Sequence, residues 1–214
     1  MHQKNLKGVD AINRQIQLSG RAKVLDVGFY QRADVVAIAR ELIGKVLVTN
    51  FDGEHTTGII TETEAYAGIT DRASHAWNDR RTSRTEIMYG AAGHAYVYLC
   101  YGIHSLFNVV TNTIGIPHAV LIRAIHPLEG LEVMLMRAKR TQPDKTFGKG
   151  PGKVSKILGI HYTHSGSLLT RSYGSIWIED HQIRFPADAI KATPRIGIDY
   201  AGADAALPYR FVIE

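Results

Sequence analysis

The stretch TTGIITETEAY at residues 56–66 decides the fold of this chain. Its first half is rich in β-branched and apolar residues, which are typical of a strand. Asp52-Gly53, just before it, is a typical two-residue hairpin turn. We therefore predict that residues 45–50 and 56–64 pair as antiparallel strands.

Strand alternation places the two acids of this stretch on one face. Glu62 and Glu64 are separated by Thr63, and successive side chains of a strand point to opposite faces. Two carboxylates at such a short distance repel each other, so a hydrophobic core gains nothing from them. The pair beside Tyr66 indicates either a catalytic carboxylate next to an aromatic ring or an edge strand whose acids face water.

Hydrophobic periodicity outside the hairpin predicts a few helices among further short strands. Helices are predicted at residues 34–43, 127–140 and 152–158. Further strands are predicted at 96–100, 106–112, 118–124, 175–179, 182–185, 195–199 and 209–213. This order is typical of an α+β protein with mostly antiparallel strands. We expect one domain at residues 23–214 after a loosely ordered arm at residues 1–22.

The composition is that of one globular domain. The chain has 214 residues, of which 45% are hydrophobic, enough for a buried core without cross-links. Cys100 is the single cysteine, which excludes an intrachain disulfide and a cysteine-based metal site. No apolar segment is long enough for a membrane span or resembles a signal peptide. These features predict a cytoplasmic protein without a membrane partner.

Positive charge is concentrated in two segments of a chain whose formal net charge is +5. The first cluster consists of Arg80, Arg81 and Arg84. The second cluster consists of Arg137, Lys139, Arg140, Lys145, Lys149, Lys153 and Lys156. Such clusters are typical of a surface that binds a polyanion, although solvated faces have the same composition.

Several aromatic side chains follow the acids, namely Tyr66, His75, Tyr96, Tyr98 and Tyr101. Tyr96 and Tyr98 alternate along a predicted strand and therefore share a face. Converging flat rings hold a planar base by stacking, at about 1–3 kcal/mol per base. Tyrosines are also common in an ordinary half-buried sheet, so both interpretations remain open at this point.

Two further motifs contain cationic residues. Arg123 ends the apolar run AVLIR, and a buried arginine needs an anion such as Glu64, unless it emerges at the sheet edge. The Gly-rich segment at 150–153 precedes a predicted helix and suits a phosphate or a plain turn. The ten histidines show no metal-binding spacing, so no metal and no cofactor are expected.

Taken in order, a set of motifs closely resembles the alkyladenine (3-methyladenine) DNA glycosylase family, and its bacterial branch most. The matching stretches are residues 61–66, 71–75, 80–88, 93–101, 107–109, 120–124, 150–153 and 194–198, spread over roughly residues 29–213. The resemblance implies a single compact domain with a curved, mostly antiparallel sheet, a protruding β-hairpin and surrounding helices.

The resemblance also implies a function in base-excision repair. Such an enzyme flips an alkylated or deaminated purine (3-methyladenine, hypoxanthine or ethenoadenine) out of double-stranded DNA and hydrolyses the N-glycosidic bond. It is expected to act as a monomer at the bacterial nucleoid. A non-catalytic damage-binding protein and an RNA-directed N-glycosidase are the alternatives.

By the same resemblance, Glu64 is expected to be the general base and Arg123 its partner at the attacking water. The expected base-binding residues are Tyr66, His75, Tyr98 and Asn108. Tyr101 is the expected wedge in the vacated stack, with His104 as the alternative. The residues expected to contact DNA phosphates are Arg80, Arg81, Arg84, Lys153 and Lys156. No lysine is expected to act as a nucleophile, so strand cleavage is not expected.

Overall fold

The predicted hairpin lies at the centre of the sheet in the computed structural model, which describes residues 22–213. Val46–Phe51 and Glu54–Tyr66 pair antiparallel. They are joined at Asp52 and Gly53, whose φ angles of 55° and 84° suit a tight hairpin turn. The hairpin prediction is therefore confirmed. The predicted arm at residues 1–22 lies, apart from its last residue, outside the described residues.

The described residues form one antiparallel sheet of nine strands. In chain order the strands are β1 (Lys23–Val24), β2 (Val46–Phe51), β3 (Glu54–Tyr66), β4 (Ala95–Cys100), β5 (His104–Thr111), β6 (His118–Glu129), β7 (Ile176–Asp180), β8 (Ile190–Thr193) and β9 (Arg210–Ile213). Their order is β1-β7-β2-β3-β6-β5-β4, and β9 pairs with both β3 and β8. The sheet curls into a half-barrel, which confirms the predicted α+β class.

The α-helices of the described part are α1 (Val27–Tyr30), α2 (Val35–Glu41), α3 (Leu131–Ala138) and α4 (Pro151–Leu158). Helix α2 begins after Asp34, whose side chain accepts a hydrogen bond from the Ala37 amide at 2.9 Å. Ile38 and Ala39 of α2 are fully buried in the core. The predicted helices at 34–43 and 152–158 are confirmed. No helix among the described residues is long and apolar enough to cross a membrane.

Strand alternation divides β5 and β6 into a core face and a polar face. Phe107 and Ile122 are fully buried in the core cluster that also contains residues of α2, α3 and α4. The alternate positions Asn108, Leu121 and Arg123 line a cavity on the other side of the sheet. The helices therefore support one face of the sheet, while the opposite face carries the candidate site.

The predicted helix at residues 127–140 is wrong in its first part. Strand β6 continues to Glu129, with Pro127 opposite Gly58 and Glu129 opposite Thr57. The helix begins only at Leu131, after Gly130 with a φ angle of 74°. Pairing with β3 outweighs the local helical periodicity, because the long partner strand still offers unpaired backbone groups at this point.

Two of the predicted strands are also wrong. The segment 182–185 joins no ladder, although Ile183 and Phe185 pack against the hydrophobic core. The segment 195–199 is irregular because its residues bond to the candidate site instead. Strand β8 at 190–193, which the sequence pattern does not predict, pairs with β9.

We expect Gly130→Ala to destabilise the fold. A Cβ atom at Gly130 would lie 2.3 Å from the carbonyl oxygen of His55, on a residue whose φ angle is 74°. Gly53 is the matched control, because its φ angle is 84° but nothing lies within 4 Å of its added Cβ. Urea denaturation should show Gly130→Ala losing about 1–3 kcal/mol more than Gly53→Ala. Equal losses in the two variants would contradict the close approach.

Candidate active site

A β-bulge brings Arg123 between the two acids of β3. The register passes from Glu62 opposite Ala124 to Thr63 opposite Ile122, so Arg123 has no paired residue on β3. Bulges re-aim side chains in this way. The Nε of Arg123 lies 2.8 Å from Oε1 of Glu62 and 3.4 Å from Oε1 of Glu64. The predicted contact between Arg123 and Glu64 is therefore confirmed, and Glu62 shares the same guanidinium.

Glu62 is held between two arginines. Besides Arg123, it accepts a hydrogen bond from Nε of Arg210 on β9 at 2.6 Å. Arg210 also donates to the hydroxyl of Thr193 at the end of β8, at 2.9 Å. Glu62 therefore connects β3, β6 and β9 through ion pairs with Arg123 and Arg210.

Glu64 is fully buried, and three donors surround its carboxylate. The hydroxyl of Tyr66 donates to Oε2 at 2.8 Å, and the amide of Ile196 donates to Oε1 at 2.8 Å. Arg123 supplies the nearby positive charge. Burial, and then the adjacent Glu64, raise the pKa of Tyr66 well above its usual value, so the phenol stays a donor. A carboxylate accepts about four hydrogen bonds, and Glu64 accepts two, from Tyr66 and Ile196, which leaves acceptor positions on Glu64 for another donor.

The three donors to Glu64 also line a cavity of about 410 Å³. The wall includes the predicted site residues Tyr66, His75, Arg84, Tyr98, Tyr101, Asn108 and Arg123. The rings of His75 and Tyr98 lie 4.6 Å apart at 77°, and the rings of Tyr96 and Tyr98 lie 5.4 Å apart. Residues from five separate parts of the chain thus form one aromatic cavity, which is of a size and character suited to a flat ligand.

His75 is neutral in this aromatic cavity. Its Nδ1 lies 2.8 Å from the hydroxyl of Tyr96, and the ring is half-buried. Burial, and then the neighbouring Arg84 and Arg80, lower the pKa of His75 to about 4. A neutral imidazole has one donor and one acceptor nitrogen, so His75 can bind a polar edge of a ligand as well as stack.

Asn108 is fixed in the wall of the aromatic cavity. Its Nδ2 donates to the carbonyl oxygens of Tyr96 at 3.1 Å and Leu106 at 3.2 Å. Both amide hydrogens are therefore occupied within β4 and β5. The side-chain oxygen accepts no hydrogen bond from residues 22–213, so it is the group that Asn108 offers to a ligand.

The ion pair of Arg195 with Asp71 is part of the site that sequence reasoning does not identify. Both side chains are almost fully buried, and the guanidinium bonds Asp71 at 2.5 and 2.9 Å. It also donates to the carbonyl oxygen of Ala65 at 2.8 Å and lies 4.9 Å from the ring centre of Tyr66. The only sequence signal is that both residues fall within matched family stretches, since they are 124 positions apart.

The first arginine cluster is divided among different environments. Arg84 lies 5.8 Å from the ring centre of Tyr98, at the aromatic cavity. Arg81 is paired with Glu86 at 2.6 Å and stacks over Tyr89. Arg80 is exposed beside His75. Of the three, Arg81 already has an intramolecular anion.

The turn between β4 and β5 exposes an aromatic side chain at the rim of the aromatic cavity. Tyr101 is 93% exposed with a φ angle of 50°, and Gly102 follows it with a φ angle of 72°. His104 instead lies against Gly152 at the start of α4, where an added Cβ would meet its ring at 3.0 Å. Lys153 and Lys156 line the same small groove as His104.

Comparison with known proteins identifies the family. A family model described as methylpurine-DNA glycosylase matches residues 28–214. The chain belongs to the methylpurine-DNA glycosylase family. It is therefore a DNA glycosylase, with DNA as its substrate. Among residues 22–213, no group of three or more histidine, cysteine or acidic side chains could hold a metal ion.

Bacterial relatives of the methylpurine-DNA glycosylase family match most of this chain. A protein of Chlamydia abortus is 46% identical over 192 residues, which covers 89% of this chain and 98% of the relative. Proteins of Chlamydia felis and Bacillus cereus are 45% and 42% identical, covering 96% and 93% of their own lengths. All three carry the provisional name 3-methyladenine DNA glycosylase.

We expect Asp71→Asn to destabilise the protein strongly. The change leaves the buried guanidinium of Arg195 without its anion, which costs about 3–5 kcal/mol in other buried pairs. Glu86→Gln is the control, since it removes the anion of the exposed pair with Arg81 and should leave the unfolding midpoint unchanged. Thermal unfolding should separate the two variants. A wild-type midpoint for Asp71→Asn would show that the pair does not support this wall.

We expect His75 to titrate near pH 4. Its pKa in the folded chain is about 4, against 6.5 for an unperturbed histidine. Between these values the unfolded chain binds a proton that the folded chain does not, so stability falls as the pH falls from 6.5 to 4. Ring NMR signals should give a midpoint near 4, and Arg84→Gln should raise it. A wild-type midpoint near 6.5 would contradict the buried, cation-flanked environment.

Proposed function

We propose that this chain is a monofunctional purine DNA glycosylase that removes alkylated or deaminated purines by hydrolysis. One observation carries the proposal. A fully buried carboxylate, Glu64, lies directly behind an aromatic cavity, in contact with Arg123 and two other donors. Such a carboxylate in a family of DNA glycosylases is best explained as the group that acts on the water and the sugar.

Glu64 serves as the general base in this proposal. Its free acceptor position can bind a water, and the carboxylate takes the proton as the water attacks the anomeric carbon. The carboxylate also stabilises the positive charge that develops on the sugar during bond cleavage, as carboxylates do in glycoside hydrolysis. Because Glu64 is buried in the free chain, we expect the hydrogen bond between Glu64 and the water to tighten when DNA is bound.

Arg123 orients the water together with Glu64. Its Nε is shared between the two acids, so the cation cannot pair fully with Glu64. Burial lowers the pKa of Arg123, but the neighbouring Glu64 and Glu62 raise it by more, so the guanidinium remains charged. Arg123 lines the aromatic cavity, and its guanidinium has further N–H groups that can donate to the water.

Tyr66, His75 and Tyr98 hold the flipped base in this proposal. An electron-poor alkylated purine stacks well on electron-rich rings, which gives selectivity without a full set of hydrogen bonds. The neutral His75 adds one donor or acceptor at the edge of the base. The fixed Asn108 crowds the exocyclic amino group of ordinary guanine, which disfavours an undamaged base.

Tyr101 fills the gap that the flipped nucleotide leaves in the duplex. Extrusion of a base costs a few kcal/mol, and least at a damaged pair, so an inserted ring offsets part of that cost. Its position at the rim of the aromatic cavity favours it over His104, which is also exposed but lies against α4 at a different groove. Phosphate contacts are assigned to Arg80, Arg81, Arg84, Lys153 and Lys156, with Arg81 requiring release from Glu86.

Hydrolysis without strand cleavage is part of the proposal. A glycosylase that also cuts the strand uses an amine nucleophile, and none of the described residues that line the aromatic cavity is a lysine. We further propose action as a monomer in the cytoplasm, at the bacterial nucleoid. A flipping enzyme needs only one aromatic cavity for each lesion.

We expect Glu64→Gln to abolish base release while DNA binding remains. Loss of a general base lowers a rate by about 100-fold to 10,000-fold. The measurement uses duplexes that carry one hypoxanthine or one ethenoadenine, treated with alkali to cut the abasic sites. Glu132→Gln on α3, remote from the aromatic cavity, is the matched control and should retain the wild-type rate.

Two outcomes would contradict the proposed chemistry. Wild-type rates in Glu64→Gln would exclude the carboxylate mechanism. Tight lesion binding by the wild-type chain without release of any base would favour the non-catalytic damage-binding protein instead. Equal release from an RNA duplex of the same sequence would favour the RNA-directed alternative, because the A-form groove and the 2′-hydroxyl change the docking surface.

A further inference from the structure

A second cavity lies directly beside the aromatic cavity. Its volume is about 430 Å³, and its lining residues are Arg72, Ser74, His75, Trp77, Arg80 and Tyr200. We name it the Trp77 cleft. His75 and Tyr200 line both cavities, so a single layer of side chains separates them. A strand whose nucleotide enters the aromatic cavity must therefore pass close to the Trp77 cleft.

The Trp77 cleft offers exposed aromatic rings. Trp77 is 46% exposed and Tyr200 is 71% exposed, although rings of this size usually gain from burial. The guanidinium of Arg72 lies 6.0 Å from the ring centre of Trp77. An aromatic ring next to an arginine is the combination on which single-stranded nucleic acid stacks.

The Trp77 cleft also carries uncompensated positive charge. Neither Arg72 nor Arg80 forms an ion pair within residues 22–213. Asp71, next to Arg72 in the chain, pairs with Arg195, and Asp79, next to Arg80, accepts from the Tyr89 hydroxyl. Asp204 accepts a hydrogen bond from the backbone amide of Arg72 but forms no ion pair with its guanidinium. No acid lines the cleft, so its ligand is expected to be anionic.

We infer that the Trp77 cleft binds the nucleotide next to the lesion on the damaged strand. The base of that nucleotide stacks on Trp77, and its phosphate lies between Arg72 and Arg80. The inference rests on the proposed function, because flipping is what brings the strand to the shared wall. A free purine lacks the phosphate that the two arginines attract, so the released base is not the expected ligand.

Tryptophan fluorescence tests this inference directly. The chain has two tryptophans, and Trp177 is only 6% exposed, so a bound base should quench mainly Trp77. The probe is a duplex with one hypoxanthine, bound to the Glu64→Gln chain so that the lesion stays intact. We expect quenching that disappears when the neighbouring nucleotide on one side is replaced by a baseless spacer. The Trp77→Phe chain should show no quenching.

Three results would overturn the inference. One is quenching that remains both when a spacer replaces the nucleotide on one side of the lesion and when it replaces the nucleotide on the other side. A second is equal quenching by free hypoxanthine, which would make the cleft a site for the released base. Another is the absence of any quenching by the intact duplex, which would also overturn the inference.

A pair of variants provides a second measurement. Trp77→Ala should weaken binding of the lesion duplex by about tenfold, the effect of losing one stacked base. Tyr173→Ala is the matched control, because Tyr173 is 79% exposed and Arg171 lies 5.6 Å from its ring centre, away from both cavities. Equal affinities for the two variants would overturn the inference.

The outcomes separate this inference from the proposed function. If the wild-type chain releases hypoxanthine but Trp77 is not quenched, only the Trp77 cleft is wrongly assigned. If the wild-type chain releases no base from any single-lesion duplex, the proposed function fails. In that case spacer-dependent quenching would still support nucleotide binding in the cleft.

Discussion

The guanidinium of Arg123 lies between two buried carboxylates, and the arrangement of the site depends on this contact. A buried acid is costly unless it is paired and hydrogen-bonded, and two acids on one strand face double that cost. The bulge in β6 turns Arg123 toward both acids, while β9 provides Arg210 to complete the pairing of Glu62. Three strands are thus joined next to Glu64, which lies buried behind the wall of the aromatic cavity.

A second buried ion pair holds the same region from the opposite side. Arg195 bonds Asp71, the backbone of Ala65 and the carbonyl of Asp204, which links β3 to two irregular segments. The next residue along the chain, Ile196, donates to Glu64. Buried ion pairs contribute little to stability, but they can fix one geometry among several. Here the pair positions both a donor to Glu64 and the ring of Tyr66.

The sequence predicts the fold best where the signal is local. The Asp52-Gly53 turn and the helix after Asp34 are specified by neighbouring residues, and both predictions are confirmed. Predictions fail where a distant partner decides. Residues 127–129 join β6 because β3 extends beside them, and the segment 195–199 is irregular because its groups bond to Asp71 and Glu64. No sequence pattern within either segment indicates these distant partners.

The sequence predicts several residues that line the aromatic cavity, but not the electrostatics of the candidate site. Alternation along strands indicates which acids and tyrosines share a face, and the ordered motifs place them in one family. The sequence does not show that Glu62 and Glu64 share one arginine, or that burial and two arginines keep His75 neutral. These properties depend on burial and on contacts between residues far apart in the chain. The Arg195 pair is missed for the same reason.

A structure of the Glu64→Gln chain bound to a duplex with one ethenoadenine tests the central claim most directly. We predict that the damaged base lies in the aromatic cavity between Tyr66 and Tyr98, with residue 64 next to the anomeric carbon. A water between that carbon and Arg123 should complete the arrangement. A damaged base that remains stacked in the duplex, with the cavity open, would contradict the account.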